Sequence, residues 1–380
     1  MRKITTGVLV LCLLLSVYSV WAPPTERVIV VFRTTPDAHM VGQHGQVHRT
    51  FHIIPAVVAT LPQPAIEALS RNPNVAYIQP DYIRQYIDPA QFNEEPEPLA
   101  QMLPWGVDRI DAELAWSTST GAGVKVAVVD TGIDMDHPDL VANLKGGFNA
   151  IAPKGRYKDP NDFDDDHGHG SHCAGIIAAV DNDIGVIGVA PDAWLYGVKV
   201  LSKSGSGQTS DCIEGIEWCT DNGMDVISMS WSSNTYDQAL ADTCAAAWAA
   251  GAVLVAAASN NGVESPDAYP AGYSSVMAIS ATDSSDNIAS FSNYGSEIEL
   301  GAPGVSIYSC YKDGGYVTMS GTSMACPHVS GVAALVLAAF PSYTNNQVRQ
   351  HLWDTAEDIG DPGWDIYFGY GLVDAQAAVI

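Results

Sequence analysis

Short runs of apolar, β-branched residues alternate with stretches of helical length throughout the larger part of the chain, from about residue 100 onward. The predicted strands cover residues 124–129, 194–201, 225–230, 252–258 and 276–281. The predicted helices cover residues 169–180, 210–222, 238–250 and 329–340. Largely apolar strands separated by helices are typical of a parallel sheet with helices on both faces, so the pattern predicts an α/β fold.

A smaller unit with its own pattern precedes this region. Its predicted elements are a strand at 27–32, strand-like runs around a turn within 51–61, a helix at 64–71 and a strand at 75–78. Residues 84–98 are polar and rich in Pro and Glu, a composition typical of a linker. The chain is therefore predicted to hold a small α+β unit, a linker and one large domain.

The first 22 residues resemble an export signal. A basic start, Met1-Arg2-Lys3, is followed by an apolar run at 7–17 that is too short to span a membrane comfortably. Cleavage near Ser19 or Ala22 and a secreted, extracellular product are expected. No later segment is expected to be long and apolar enough to span a membrane.

Composition and charge narrow the classes of partner. The 380 residues are 47% apolar, which predicts a packed globule, and the net charge is −26. Residues 100–380 hold 35 of the 43 acidic side chains but only 10 of the 17 basic ones. This balance argues against nucleic acid or an anionic membrane as a partner. Export permits disulfides, and Cys219 and Cys244 on neighbouring predicted helices are one candidate pair.

Four chemically active side chains follow predicted strands or open predicted helices. Asp130 ends one strand, Asn260 follows another, His169 opens a helix, and Ser323 lies where a Gly-Thr-Ser turn enters the apolar helix near the C-terminus. Because the carboxyl ends of parallel strands meet at one edge of a sheet, these groups are expected to converge. A carboxylate, an imidazole, an amide and a serine together supply an oriented base, a nucleophile and an oxyanion donor.

These motifs identify a resemblance to the subtilisin-like serine peptidases, the subtilases. The segments at 129–133, 169–175 and 321–325 occur in the order Asp, His, Ser, with Asn260 between the last two. The resemblance covers residues 100–380. It implies that Asp130 orients His169, that His169 is the general base, that Ser323 is the nucleophile and that Asn260 donates to the oxyanion. The expected activity is that of a secreted endopeptidase that hydrolyses peptide bonds through an acyl-enzyme.

The resemblance also assigns a substrate cleft. It implies that the cleft is lined by Gly205, Ser206, Gly207, Ser230, Trp231, Ser232, Ala257, Ala258, Ser259 and Ala268. The family often has glycine where Ser232, Ser233 and Ser259 stand, so these serines either narrow the cleft or shift its backbone. Small or hydrophobic residues before the cut are expected to be favoured over Lys and Arg.

The N-terminal unit resembles the inhibitory propeptide of the family, with a ferredoxin-like fold. The expected division is a signal peptide at 1–22, a propeptide with linker at 23–99 and a peptidase domain at 100–380. The stretch at 99–104 resembles the maturation junction, so self-cleavage after Leu99 is expected, with residues 96–99 lying in the cleft. The expected partners are polypeptide substrates and the chain's own propeptide, and the enzyme is expected to be a monomer.

A structural Ca²⁺ ion is expected at the loop 180–186. Apolar residues alternate there with Asn and Asp, so backbone carbonyls are left without partners, and a hard cation can satisfy them. By resemblance the ligands are Gln101, Asp139, Val180, Asn182, Ile184 and Val186. Gln101 is expected to join only once a new N-terminus is free to move, which would link metal binding to maturation.

Other interpretations of the same residues remain open at this point. The acidic run 159–166 is either a solvated loop or a second cation site. Asp130-Thr131-Gly132 also matches an aspartic-peptidase signature, but that class needs two such carboxylates. His167, His169 and His172 have spacings compatible with a metal cluster. The non-enzyme alternative is a catalytically inactive subtilase fold that binds peptides, which the intact triad disfavours.

Overall fold

The computed structural model describes residues 24–87, 89–95, 100–152, 158–264 and 268–380. The predicted signal peptide and residues 96–99 lie outside the described residues. The first elements are β1 (Thr25–Phe32), α1 (Ala38–Gly42), β2 (Gln46–Phe51), β3 (Ala56–Pro62), α2 (Gln63–Leu69) and β4 (Val75–Pro80). They form an antiparallel sheet with the order β2-β3-β1-β4, the ferredoxin-like arrangement.

Both faces of this small sheet are covered. Val28 and Val30 of β1 pack with Val57 and Leu61 under the two helices of the unit, whereas Ile29 belongs to a core shared with the larger part of the chain. Alternate residues of a strand point to opposite faces, so one apolar strand serves two cores. The N-terminal unit therefore packs on the rest of the chain through a buried apolar face.

The remaining elements follow in chain order. They are β5 (Ile83–Tyr86), β6 (Gln91–Glu95), α3 (Trp105–Arg109), α4 (Ala112–Ala115), β7 (Lys125–Asp130), β8 (Leu144–Asn149), α5 (His169–Ala178), β9 (Trp194–Lys199), β10 (Ser206–Gln208), α6 (Thr209–Asp221), β11 (Val226–Met229), β12 (Trp231–Ser232), α7 (Gln238–Ala249), β13 (Val253–Ala257), β14 (Met277–Thr282), β15 (Ile298–Pro303), β16 (Ile307–Tyr311), β17 (Gly315–Ser320), α8 (Thr322–Ala339), α9 (Asn345–Asp354) and α10 (Ala375–Ala378).

A seven-stranded parallel sheet forms the centre of the larger part, with the order β15-β14-β13-β11-β7-β9-β8. The predicted α/β class is confirmed, and all five predicted strands belong to this sheet. The two outer strands, β8 and β15, were not predicted. Glycine and charged residues interrupt the apolar pattern of both, in the sequences LKGGFN and IELGAP.

Helix α8 runs through the core beside this sheet. It begins at Thr322, seven residues before the predicted start, and its 18 residues are long and apolar enough on average to cross a membrane by length and composition. The expectation that no later segment would meet that test was therefore wrong. Since 83% of the helix is buried inside the protein, it has the surroundings of a core helix.

The predicted linker is not structureless. Strand β5 forms a three-stranded sheet between β10 and β12, and β6 adds an antiparallel strand to β17. Backbone pairing with strands of the larger part, rather than an apolar side-chain pattern, makes these segments strands. Composition therefore predicted them as linker, although their backbones are ordered by partners far along the chain.

Polar contacts hold the N-terminal unit on helices α6 and α7. Arg49 pairs with Asp211 at 2.8 Å, and Tyr77 donates to Asp242 at 2.6 Å. Glu217 accepts from the backbone N–H groups of His52 and Ile53 at 2.6 and 2.8 Å. Acidic side chains of α6 and α7 thus accept hydrogen bonds from donors of the small sheet.

All six cysteines in the described residues are buried and free. The candidate Cys219–Cys244 disulfide is therefore not formed. Burial raises the pKa of both thiols well above the usual value, which leaves them protonated and unreactive. The cysteines contribute apolar volume to the core.

Candidate active site

Asp130 and His169 form a buried hydrogen bond at the carboxyl edge of the central sheet. Asp130 is the last residue of β7, His169 is the first of α5, and Nδ1 of the imidazole lies 2.8 Å from Oδ1 of the carboxylate. The same oxygen accepts from the Thr131 N–H at 2.7 Å. Because an ionised carboxylate only accepts, Nδ1 carries the proton of a neutral imidazole, which leaves Nε2 as the basic atom.

Ser323 is the second residue of α8, at the end where backbone N–H groups lack helical partners. Its hydroxyl donates to the Ser230 carbonyl at 3.2 Å, and the Ser230 hydroxyl donates back to the Ser323 carbonyl at 3.0 Å. His169 Nε2 has no hydrogen-bond partner among the described residues. The serine hydroxyl and the basic nitrogen are thus not hydrogen-bonded to each other in this state.

The orientation of the Asn260 amide is determined by its partners. Its side-chain oxygen accepts from both the backbone N–H and the hydroxyl of Thr322, each at 2.9 Å. A peptide N–H can only donate, so the atom that faces it must be Oδ1, and Nδ2 points the other way. A Cβ atom at Gly321 would lie 2.9 Å from Nδ2, so glycine at that position leaves the amide nitrogen its room.

A cavity of about 400 Å³ lies beside these groups, and we call it the first pocket. Its lining includes Ile87, Ser232, Ser259, Asn260 and Asn261. The Ser232 hydroxyl donates to the Ser259 hydroxyl at 3.2 Å, and the latter donates to the Asn261 side chain at 3.1 Å. These hydroxyls occupy space that glycines would leave open, so the pocket is narrowed.

Ser259 also has a backbone conformation that disfavours a side chain. Its φ of +84° lies in the left-handed region, where residues other than glycine are strained. The three alanines predicted to line the pocket, Ala257, Ala258 and Ala268, are buried and are not among its lining residues.

The chain's own strand β5 occupies the predicted cleft. Gln85 lies opposite both Ser206 and Ser232, and Tyr86 lies opposite Trp231. The Tyr86 N–H donates to the Gly205 carbonyl at 2.8 Å. Predicted cleft residues on both flanks, from 205–207 and from 230–232, therefore surround one extended segment.

The Tyr86 ring occupies the space that a side chain at Gly205 would need. This ring lies edge-on to the ring of His169, with centroids 5.0 Å apart, and packs against Gly205. A Cβ atom at Gly205, whose φ is +68°, would lie 2.0 Å from the Tyr86 ring. The sequence interpretation put residues 96–99 in this cleft. Those residues lie outside the described part of the chain, and the strand in the cleft is Ile83–Tyr86 instead.

The six predicted calcium ligands lie around one loop. Asp139 is fully buried, and its carboxylate accepts from the Asn182 amide at 2.7 Å, the Val186 N–H at 2.8 Å and the Tyr316 hydroxyl at 2.9 Å. The Asn182 side-chain oxygen accepts from the Ile184 N–H at 2.8 Å.

Gln101 completes this group in the uncut chain. Its side-chain nitrogen lies 2.7 Å from the Val180 carbonyl and 3.4 Å from the Val186 carbonyl. Its backbone N–H donates to the Asp183 carbonyl at 3.1 Å. The expectation that Gln101 reaches the loop only after cleavage is therefore wrong. The segment between β5 and Gln101 is long enough for the cleft and the loop to be occupied at the same time.

The acidic run before α5 serves the fold in part. Asp165 accepts from the Gly168 N–H at 2.8 Å and from the Ser171 N–H and hydroxyl at 2.9 and 2.7 Å. Burial alone would raise the Asp165 pKa, but these hydrogen bonds and the charge of Lys199 bring the pKa below its usual value. Asp166 pairs with Lys199 at 2.8 Å. Two carboxylates of the run thus order the turn into the helix of His169.

The three histidines of the candidate metal motif face different partners. His172 Nε2 lies 3.2 Å from the carbonyls of Ile307 and Val317, and His167 packs edge-on against Tyr86. Burial lowers the pKa of His172 to about 3. In the described residues, the only group of three metal-ligand side chains is Asp130, His169 and Cys173, at the site already described.

Cys173 lies beside Ser323 in the core. Its thiol is 3.4 Å from the Ser323 carbonyl, is 1% exposed, and has a pKa raised by burial. It is a buried, protonated thiol that packs against the start of α8. Thr322, which orients Asn260, was missed as a functional residue although it stands in the Gly-Thr-Ser motif itself.

Comparison with known proteins agrees with this geometry. The model of the Subtilase family matches residues 121–371. Subtilisin NAT from Bacillus subtilis subsp. natto and subtilisin E from Bacillus subtilis (strain 168) are each 44% identical over 338 residues, which cover 88% of this chain and 83% of each relative. M-protease from Shouchella clausii (strain KSM-K16) is 43% identical over 329 residues, 86% of this chain and 80% of the relative.

Proposed function

The chain belongs to the subtilase family and is a serine endopeptidase, and we propose that it cleaves peptide bonds with Asp130, His169 and Ser323. The observation that carries the assignment is the buried hydrogen bond from His169 Nδ1 to Asp130, which leaves Nε2 as the base. The nucleophile stands at the N-terminal end of α8, where orphan N–H groups and the helix dipole favour a developing negative charge.

The reaction begins when the Ser323 hydroxyl turns from the Ser230 carbonyl to His169 Nε2. Serine Oγ attacks the substrate carbonyl while Nε2 takes its proton, and Asp130 stabilises the imidazolium that results. The Asn260 side-chain N–H and the Ser323 backbone N–H donate to the oxyanion. The imidazolium then gives its proton to the leaving amine. Water, deprotonated by the same nitrogen, releases the acyl group from Ser323.

Covalent labelling tests this assignment against the inactive-scaffold alternative. A fluorophosphonate probe reacts only with an activated serine, so it is expected to modify Ser323 stoichiometrically. The label should disappear in Ser323→Ala and fall strongly in His169→Ala. A folded protein that takes no label would support the peptide-binding alternative.

The N-terminal unit acts in this proposal as an intramolecular inhibitor, with its following strand in the cleft. Ile87 comes directly after Tyr86 and lines the first pocket beside Ser259 and Asn260. It therefore has the position of the residue before a cut bond. We place the first self-cleavage at the Ile87–Asp88 bond rather than after Leu99.

The proposed structural cation is Ca²⁺, and calcium binding is typical of the family. The donors around the loop are a buried carboxylate, two side-chain amides and backbone carbonyls, all oxygen groups that suit a hard cation. A half-turn of the Gln101 amide would bring its oxygen to the point on which the Val180 and Val186 carbonyls converge. When bound, the ion would tie the loop to Asp139, with no part in bond cleavage.

Secretion and the solution state complete the proposal. The basic and apolar start of the chain supports export, and the net charge of −26 supports an enzyme that avoids nucleic acid and anionic membranes. A monomer acting on polypeptides is the proposed working form.

A further inference from the structure

Arg84, in the cleft strand β5, is a fully buried arginine. Its guanidinium donates through Nε to the Thr209 hydroxyl at 2.8 Å, through Nη1 to the Thr235 carbonyl at 3.2 Å and through Nη2 to the Asp237 carboxylate at 2.6 Å. Both partners of the ion pair have no exposed side-chain surface. A buried charge is very costly without such partners, and this pocket provides an acceptor for each of the three guanidinium nitrogens.

The register of the strand tells which substrate residue enters this pocket. Arg84 lies opposite Gly207, and Ile87 lines the first pocket three residues later. If Ile87 is counted as the first residue before the cut bond, Arg84 is the fourth. A substrate bound as the same antiparallel strand places its own fourth side chain between Thr209 and Asp237.

We propose that Asp237, with Thr209 and Thr235, forms an arginine subsite that selects substrates with Arg four residues before the cleaved bond. This inference rests on the proposed endopeptidase function and adds a substrate class to it. Two substrate positions are then selected separately: the first pocket takes a small or aliphatic residue directly before the cleaved bond, and the arginine subsite takes a cation at the fourth residue before it.

The carboxylate remains in place when the N-terminal unit leaves. Asp237 caps helix α7, with Oδ1 accepting from the Leu240 N–H at 2.9 Å, and its carbonyl accepts from the Tyr273 hydroxyl at 2.9 Å. Gln79 and Arg84, the other side chains bound to the carboxylate, belong to the N-terminal unit and the strand after it. When these two side chains leave, Oδ2 of Asp237 faces an open pocket and can accept a hydrogen bond from a substrate side chain.

The geometry favours arginine over lysine. Three donors on one planar guanidinium meet a hydroxyl, a carbonyl and a carboxylate in different directions. An ammonium group can reach the carboxylate but cannot present the same fork. The expected order of preference is therefore arginine, then lysine, then neutral side chains.

The test uses the mature enzyme and fluorogenic peptides that differ only in the fourth residue before the cut: arginine, lysine, citrulline or norleucine. Citrulline keeps the shape of arginine and removes its charge. We expect kcat/KM for the arginine peptide to exceed that for citrulline and norleucine by about tenfold to a hundredfold, as for a charged hydrogen bond in a desolvated site. Equal values for arginine and citrulline would overturn the inference, and this comparison needs no variant.

Two variants assign the effect to the carboxylate. Asp237→Asn keeps a good N-cap residue and removes the charge, so the ratio of arginine to norleucine should fall to about one to three. Asp242→Asn is the matched control, because Asp242 lies on the same helix and contacts Tyr77 rather than Arg84. Its ratio should match that of the unchanged enzyme. An Asp237→Asn enzyme that keeps full arginine preference would refute the subsite.

The same experiment separates this inference from the proposed function. Cleavage of the norleucine peptide that is lost in Ser323→Ala supports the peptidase assignment whatever the arginine ratio is. Cleavage of all four peptides at similar rates refutes the arginine subsite alone. Failure of the folded, mature protein to cleave any of them refutes both.

Discussion

The hydroxyl of Ser232 donates to the hydroxyl of Ser259 at 3.2 Å, from strand β12 to the turn after β13, within the first pocket. In the proposed function, the residue before the cut lies between these two segments. A bridge of this kind takes up depth that an aromatic ring would need. The pocket is therefore expected to accept small and aliphatic side chains.

Removal of the bridge should widen the specificity. In Ser259→Gly, and further in Ser232→Gly combined with it, kcat/KM for peptides with Phe before the cut should rise relative to Ala by about tenfold. Ser259→Gly should also stabilise the protein by about 1 kcal/mol, because glycine adopts a positive φ without strain. Ser306→Gly is the control, since Ser306 also has a positive φ, of +54°, but does not line the pocket. A gain in Phe cleavage equal to that of the control would contradict this account.

Loss of any triad member should nearly abolish turnover. Ser323→Ala and His169→Ala remove the nucleophile and the base, and Asp130→Asn no longer holds the imidazole in the required tautomer. Each should lower kcat by about 10⁴-fold or more, as triad substitutions do in related serine peptidases. Asn260→Ala should cost about a hundredfold, the scale known for this donor in the family, with KM little changed. Steady-state kinetics on one peptide decide the matter, and full activity of His169→Ala would refute the assignment.

Self-cleavage should occur first at the Ile87–Asp88 bond. Purified precursor should yield a fragment that ends at Ile87 by mass spectrometry, and Ser323→Ala should remain uncut. Ile87→Asp should delay this step, since the first pocket offers no cation among its described lining residues. Leu99→Asp is the control and should leave the first cut unchanged. A first product that begins at Ala100 would restore the sequence-based prediction.

Calcium should stabilise even the uncut precursor. Gln101 already contacts the loop while β5 fills the cleft, so binding does not wait for a new N-terminus. In Ser323→Ala, calcium at a hundredfold excess over its Kd should raise the free energy of unfolding by about 2.7 kcal/mol. Asp139→Asn should lose this effect, whereas Asp181→Asn, an exposed neighbour in the same loop, should keep it. A melting temperature that is the same with calcium and with chelator in this precursor would contradict the site.

The sequence predicted those parts of the molecule whose cause is local. The apolar runs of strands such as β7 and β13 indicate a buried parallel sheet, and that sheet forms with Asp130 as the last residue of β7 and Asn260 shortly after the end of β13. Strands β5 and β6 were not predicted, because their partner strands lie more than a hundred residues away in the sequence and pair with them through the backbone. Asp237 is visible in sequence as a helix cap, but its second role depends on where Arg84 falls in the cleft.

The last prediction concerns stability in acid and rests on two buried histidines. Burial lowers the pKa of His172 to about 3 and of His328 to about 4, and the His328 ring also donates through Nδ1 to the Met324 carbonyl at 2.7 Å. In the unfolded chain both titrate near 6.5, so below that pH the unfolded state binds more protons than the folded state. Stability is therefore full above about pH 7 and falls as the pH drops toward the folded pKa values. Each histidine should cost about 2 kcal/mol at pH 5, since 1.5 pH units correspond to that free energy.

Urea unfolding of Ser323→Ala at pH 7 and pH 5 measures this loss without autolysis. His328→Gln keeps an N–H donor but cannot take up a proton, so its loss between the two pH values should be smaller by about 2 kcal/mol. His39→Gln, a substitution of an exposed histidine in the N-terminal unit, should leave the pH dependence as it was. If His328→Gln loses as much stability as the parent between pH 7 and pH 5, the neutral imidazole at this position is not what makes the fold sensitive to acid.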